Sequence, residues 1–466
     1  MELEEAKRLA VKYDALREAK AAHTAVAYRY YTGQNDIKFR RPKTECGEDG
    51  KNILRHADNR IAFNFHALLV DQKAGYLFTA PPIFDVGSET ANKKVRAVLG
   101  NAYGKKIKNL CIDASNAGVS WVHYWKDDDG NFQWMPIPSI QVYPIFTDDL
   151  QANLAAVMRC YRTLDDDGEE WKVYEFWNDT EVSVYRQKNE IFQPLDRFSV
   201  VLDGLTEPTN TWRHGMGAAP FIPFANNSRG ASDLDRVKDL IDAYDKTFSG
   251  FVDDLEDIQE VILVLTNYGG TDTRRFLDDL KYYKTIQVES TGDGDKSGVS
   301  TLTIDIPVEA RDKLLALTRK AIFDMGQGVD PQQQSFDRTS GEAMKFMYSL
   351  LELKAGLMET EFRLSLDNLV RAICRASGIA EPENVIQTWT RTAIRNDSEL
   401  ADMCSRSVGI LSTKTILKNH PFVDDPETEE KELRKEKEEA AEDTDTYRAS
   451  FGRQNQTGRQ PAGNQE

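Results

Sequence analysis

The sequence predicts an α+β protein in which long helices and short antiparallel strands occupy separate stretches of the chain. Three observations carry that expectation. Apolar residues recur at alternating steps of three and four from Ser232 to Ile262 and again along residues 342–377. Between residues 119 and 195 the period changes to two. The period-two segments are joined by Asp/Gly/Asn turns rather than by helices, which excludes a doubly wound nucleotide fold.

The stretch from Ser232 to Met325 organises the rest. Leu234, Val237, Ile241, Tyr244, Phe248, Phe251, Leu255, Ile258 and Ile262 fall on one stripe of a helix predicted over 232–262. Asp233, Asp235, Asp239, Asp242, Asp253, Asp254 and Asp257 crowd the opposite face. A β-rich excursion follows, with apolar segments at 261–265, 284–290 and 299–305, and a second helix at 307–325 brings the chain back. A helix, a small β-module and a returning helix can hold a compact knob away from a body, which points to assembly rather than catalysis.

Around this stretch, residues 2–31 read as a helix with Leu3, Ala6, Leu9, Ala10, Tyr13 and Leu16 on one face, stopped at Gly33. Residues 34–56 read as an exposed loop, and the helical spacing of Phe65, Leu68, Leu69, Gln72 and Tyr76 ends at Pro81-Pro82. Residues 91–117 read as one helix. From VSWVHYW onward the pattern is an antiparallel meander, aromatic on one face and polar on the other, and residues 215–230 are an extended connector. After a polar loop at 326–341, Thr339 and Glu342 form a capping box that opens the longest helix, with Gly356 a candidate kink and Gly378 its stop. A strand-like segment at 384–393, two short helices, a third beginning at Asp425-Pro426-Glu427 and a polar, disordered tail complete the chain.

Composition narrows the function. The chain has 466 residues, 59 Lys and Arg against 76 acids and a formal charge of −17, which argues against gripping nucleic acid by broad phosphate neutralisation. Five scattered cysteines outside any CxxC spacing read as buried thiols of a reducing cell. The first residues have no signal-peptide pattern, no apolar run approaches the roughly 20 residues of a membrane span, and a cytoplasmic protein is expected. Catalytic templates fail on spacing. There is no GxxxxGK[ST] and no HExxH, and the DDDG runs at 127–130 and 165–168 lack the first ligand and the closing Glu of a calcium loop, so they read as hairpin turns. No cofactor, metal or catalytic residue is expected.

Two stretches remain as candidates. The acidic helix face is either a solvated surface or, if several copies stood in a ring with these faces inward, a wall that repels DNA over about 10 Å. In the loop, Gln332, Gln333, Gln334 and Ser335 could hydrogen-bond without charge and Arg338 could touch a phosphate; an ordinary linker is the plain alternative. A rival reading is a hydrolase or transferase built on Asp148, Asp149 and Asp239.

Five further segments carry a resemblance: Tyr30-Tyr31-Thr32-Gly33 with Asp36-Ile37, NRIAFNFHALLVDQKAGYLFTAPPIF at 59–84, PFANNSRGASDLDRVKDLIDAYD at 223–245, SGEAMKF at 340–346, and GILSTKTIL with HPFVDDPETE near the C-terminus. In that order they resemble the portal, or head-to-tail connector, proteins of tailed double-stranded DNA phages, of the type found in siphophages of Gram-positive hosts. The resemblance implies a structural, non-enzymatic protein of the virion, assembled in the host cytoplasm as a dodecameric ring at one capsid vertex. It implies a wing at 1–231, stem helices at 232–262 and 307–325, a clip at 263–306, a tunnel loop at 326–341, a tunnel helix and wing return at 342–397, a helical crown at 398–445 and a tail at 446–466. Its partners would be the terminase large subunit, a head–tail adaptor, capsid and scaffolding proteins and the DNA in transit, with no membrane. Clip residues Asn267, Tyr268, Asp272, Asp293 and Lys296 would serve docking. A capsid-associated scaffold or minor head protein is the other reading from the same setting.

Overall fold

The computed structural model describes residues 1–40, 57–147, 154–202, 205–258, 262–266, 298–302, 307–332, 341–391, 397–423, 426 and 428–436. These divide into two compact units, one of residues 1–332 and 348–392, the other of residues 333–347 and 393–466.

In the larger unit, helix α1 (Leu3–Tyr31) buries Ala6 and Ala10 against a six-stranded antiparallel sheet. Its small residues allow the close approach, while Leu16, expected on the inward face, is 48% exposed. Helix α2 (Phe65–Leu77) is followed by strand β1 (Ile83–Asp85). The single helix expected at 91–117 is two, α3 (Glu89–Leu99) and α4 (Tyr103–Ala117). Gly100 breaks the run with φ of 75°, a conformation that residues with a Cβ rarely adopt.

The meander likewise divides. Strands β2 (Val119–Lys126) and β3 (Phe132–Ile137) form one sheet with β12 (Phe221–Ala225), which had read as a connector. The other sheet runs β11 (Thr211–Arg213), β7 (Glu181–Lys188), β6 (Glu170–Trp177), β5 (Leu154–Leu164), β4 (Val142–Phe146), with β8 (Ile191–Pro194) also on β7. A hairpin of β9 (Phe198–Leu202) and β10 (Leu205–Thr209) leaves it. Both DDDG runs are hairpin turns, with Gly130 N–H donating to the Asp127 carbonyl and Gly168 N–H to that of Asp165.

Neither sheet has the polar outer face that the alternation implied. Val157, Val173, Val182 and Val184 of the larger sheet pack against Trp121, Ile137 and Phe221 of the smaller, while Met158, Tyr174, Phe176 and Tyr185 meet α1. The smaller sheet turns Val122, Tyr124, Trp134 and Phe224 toward α4 and the long helix α7 (Gly341–Ala376), whose Met358, Phe362, Leu366 and Val370 complete the largest core. Helix α7 is continuous through Gly356.

The chain reaches the organising stretch through a single 3-10 turn, Leu234–Arg236, so helix α5 (Lys238–Ile258) starts six residues after the expected start at Ser232 and ends four before Ile262. Strands β13 (Ile262–Thr266) and β14 (Gly298–Leu302) pair antiparallel, and α6 (Val308–Gly326) returns along α5. The middle segment of the excursion (284–290) and the capping box lie outside the described residues. Strand β15 (Ile386–Thr388) pairs with β1. In the smaller unit, α8 (Asp397–Arg406) and α9 (Thr413–Asn419) are the two short helices, and residues 428–436 are helical.

Candidate functional site

The paired helices α5 and α6 and the root of the loop that follows them are the expected site, and the geometry there changes the reading of the acids. The segment from Asn59 to Phe63 lies extended along α5. Asn59 N–H donates to Asp253 Oδ1 at 2.7 Å, Ile61 N–H to Ser249 Oγ at 3.0 Å, and Phe63 N–H to Asp245 Oδ1 at 2.9 Å. Alternate residues of an extended chain advance about 6.6 Å and four residues of a helix about 6 Å, so side chains four apart on a helix can take the place of a partner strand. Asn35 Nδ2 donates to the second oxygen of Asp245 at 2.6 Å and also to the Phe63 carbonyl. Burial pushes the Asp245 carboxyl up to about 6, against the pull of the Asn35 and Phe63 donors.

Asp253, read as part of an outward acidic face, is therefore 4% exposed and committed to Asn59. Asp242 accepts from Tyr30 Oη and pairs with Lys238 at 2.7 Å, and Lys238 also holds Asp36 at 2.7 Å. Asp254 is paired with Arg311, which ties α6 to α5. Asp235 lies 3.0 Å from His23 and Asp239 is exposed. The side chain of Asp257 is outside the described residues.

Asp233, also read as outward, is buried between two lysines. Its Oδ2 is 2.6 Å from Lys73 Nζ and 3.1 Å from Lys354 Nζ, and Asn226 Nδ2 donates to Oδ1 at 2.9 Å. Burial alone would raise this carboxyl, but Lys354 and Lys73 hold it well below the usual range. Lys354, on α7, is pushed down to about 8 by burial against the pull of Asp233. It also donates to the Gly326 carbonyl at 2.9 Å, a cation on the last turn of α6, where the helix dipole favours one.

From that point the loop root is fixed. Gln327 takes a left-handed φ of 55° and Arg236 donates to its side chain at 2.7 Å. A Cβ at Gly326 or Gly328 would run into Leu69. The Gln72 amide brackets Val329, accepting from its N–H at 3.0 Å and donating to its carbonyl at 2.7 Å, and Arg319 grips Asp330 with two nitrogens at 2.7 and 3.0 Å. Gln332 is exposed and its N–H donates to Asp330. Gln333, Gln334, Ser335 and Arg338 lie outside the described residues, as do Asn267, Tyr268, Asp272, Asp293 and Lys296 and the rival pair Asp148 and Asp149.

Residues 12–443 match the family described as "Phage portal protein, SPP1 Gp6-like". The chain belongs to the phage portal family. The portal protein of Clostridium phage phiCD119 is 40% identical over 462 residues, covering 96% of this chain and 99% of that one. The portal protein of Bacillus phage SPP1 is 30% identical over 433 residues, covering 89% of this chain and 83% of that protein. A chain from the neck of a native GTA particle computed with C12 symmetry is similar at 12% identity and a TM-score of 0.38, covering 76% of this chain and 88% of that one. Portal proteins are structural, non-enzymatic components of the virion that form rings in the phage neck with other head and tail proteins. The hydrolase reading built on Asp148, Asp149 and Asp239 falls with that membership. Among the described residues no helix is long and apolar enough to cross a membrane.

The sequence reading missed Lys73, Lys354, Asn35, Ser249 and Gln72. The one signal available was the four-residue spacing of Asp245, Ser249 and Asp253 beside the alternating NRIAFNF.

Proposed function

We propose that the chain closes into a dodecameric ring at one capsid vertex through which DNA enters during packaging and leaves at ejection. The supporting observation is the α5–β13–β14–α6 excursion, a helix pair closed by a two-stranded β element at one end and a clamped loop root at the other. In this reading α5 and α6 are the stem, residues 263–306 the clip that docks the terminase large subunit and later a head–tail adaptor, and residues 398–445 the crown. Residues 1–231 are mostly wing, which capsid and scaffolding proteins contact during assembly in the host cytoplasm. Residues 326–341 are the tunnel loop, where Gln332, Gln333, Gln334 and Ser335 offer uncharged hydrogen bonds and Arg338 a phosphate contact. Of the acids, Asp235, Asp239 and Asp257 remain for the channel wall, since Asp242, Asp253 and Asp254 are taken up inside the protomer. Native mass by light scattering, with negative-stain images of the same fraction, tests the ring. Closed rings with a central hole are expected; a monomer or dimer at every concentration and salt would overturn it.

A further inference from the structure

A ring of more than two copies cannot be closed by one self-complementary patch, because each subunit must present two different faces, one to each neighbour. Among the described residues, two apolar stripes on different helices have no partner. On α7, Leu350, Leu353, Leu357 and Leu364 fall within one narrow stripe and are 39, 57, 48 and 63% exposed. On α6, Leu314, Leu317 and Met325 do the same at 49, 66 and 58%. Single exposed leucines need no explanation, but rows of them along two helices of one chain do.

Two further features favour a second copy of the chain as what covers them. Gly356 sits beside the leucine row in mid-helix, at a helix-propensity cost of about 1 kcal/mol relative to Ala. Nothing among the described residues requires it, for an added Cβ would meet none of their atoms within 4 Å. A glycine there lets another backbone approach closely. Charged side chains also stand beside both rows, of both signs on α6, where exposed Asp324 adjoins Met325. Glu361 lies on the α7 stripe between Leu357 and Leu364, Lys320 flanks the α6 stripe, and no ion pair within the protomer among the described residues uses either side chain.

We infer that neighbouring copies join through these two faces, the leucine row of α7 on one subunit packing on the Leu314–Met325 row of α6 on the next, with Glu361 and Lys320 paired across the contact. The inference rests on the ring reading and names its interface. The contact is heterologous, so each face can be spoiled separately. The ridge variant Leu353→Glu/Leu357→Glu and the face variant Leu317→Glu/Met325→Glu alter exposed side chains and should stay folded, with circular dichroism and melting like the unaltered chain. Each alone should remain a monomer by light scattering. An equimolar mixture should give a dimer and stop there, since one variant still has its α6 face and the other its α7 row. The single change Glu361→Lys should weaken ring formation at least tenfold, and adding Lys320→Glu should restore it. If the unaltered chain forms no ring, the ring reading itself fails. If it forms rings and both variants do too, only the interface is overturned, and another partner covers the stripes. Mixtures that stay monomeric would refute the pairing of these two faces.

Discussion

Two regions around α5–α7 invert the usual expectation about which residues go inside. At the junction of α2, α5 and α7, charged and polar side chains are buried: Asp233 between Lys73 and Lys354, Asp245 with Asn35, and Asp253 with Asn59. Along the outer sides of α6 and α7, leucines stand in the open. The polar junction closes within one protomer, since each carboxylate there already has its donors. The apolar stripes do not close within it. The folded protomer thus fixes a loop root by polar contacts and leaves these leucine rows exposed.

The largest effect should come from the buried side of this contrast. Asp233→Asn leaves Lys73 and Lys354 facing each other in a buried site, and the loss of a buried partner costs about 3–5 kcal/mol. Denaturant unfolding should show that drop; a change below 1 kcal/mol would mean that the lysines find other partners. Replacing Lys354 by Met should cost less, because Lys73 still neutralises Asp233.

Acid sensitivity sharpens the comparison, since it belongs to the buried groups. Burial pushes His66 and His123 down to about 4, while in the unfolded chain they take up a proton near 6.5. Their contribution is complete above about pH 6.5 and is lost as the pH falls toward 4, by up to about 3 kcal/mol per histidine. Asp245 acts in the opposite sense. Its folded-state value is raised to about 6, so the folded chain takes up the proton first and gains stability between pH 6 and about 4. His123→Phe, a ring of similar size among Trp125, Trp177 and Phe221, should flatten the acid loss, and Asp245→Asn should steepen it. Melting temperature against pH reads both slopes, and parallel curves for all three chains would contradict the assignment.

Smaller is the effect of Ser249→Ala, which leaves the Ile61 N–H without its acceptor and should cost about 1–3 kcal/mol. Amide exchange should then quicken at residues 59–63 and not in the sheets. Smallest is Leu353→Glu, expected to change protomer stability by no more than about 0.5 kcal/mol because the side chain is more than half exposed. A large loss would show that the stripe is core after all.

Periodicity made the long elements legible. The ends of α1, α6 and α7 and the strands of the meander lie close to where the apolar pattern puts them, while α5 is shorter at both ends. What failed did so for local reasons. The break at Gly100 is hidden because Val95, Leu99, Tyr103, Ile107 and Leu110 keep a helical spacing across it. Strand β12 is masked by Pro223, which is tolerated because β12 is an edge of its sheet. Lys73 sits in VDQKAG, where a lysine reads as solvent-facing, and only the tertiary positions of Asp233 and Asn226 draw it inside. The acids of α5 looked alike in sequence, yet their partners separate those that hold the chain together from Asp239, which remains exposed.

In the proposed ring the leucine rows of α6 and α7 are subunit surfaces while the polar junction is complete in each protomer. Hydroxyl-radical footprinting of assembled and dissociated protein reads side-chain access directly. Leu317, Met325, Leu353 and Leu357 should be modified in the free subunit and protected in the assembly, with Phe63, Leu69 and Tyr244 unchanged. Equal modification of the four in both states, or protection appearing instead at Phe63 and Tyr244, would contradict it.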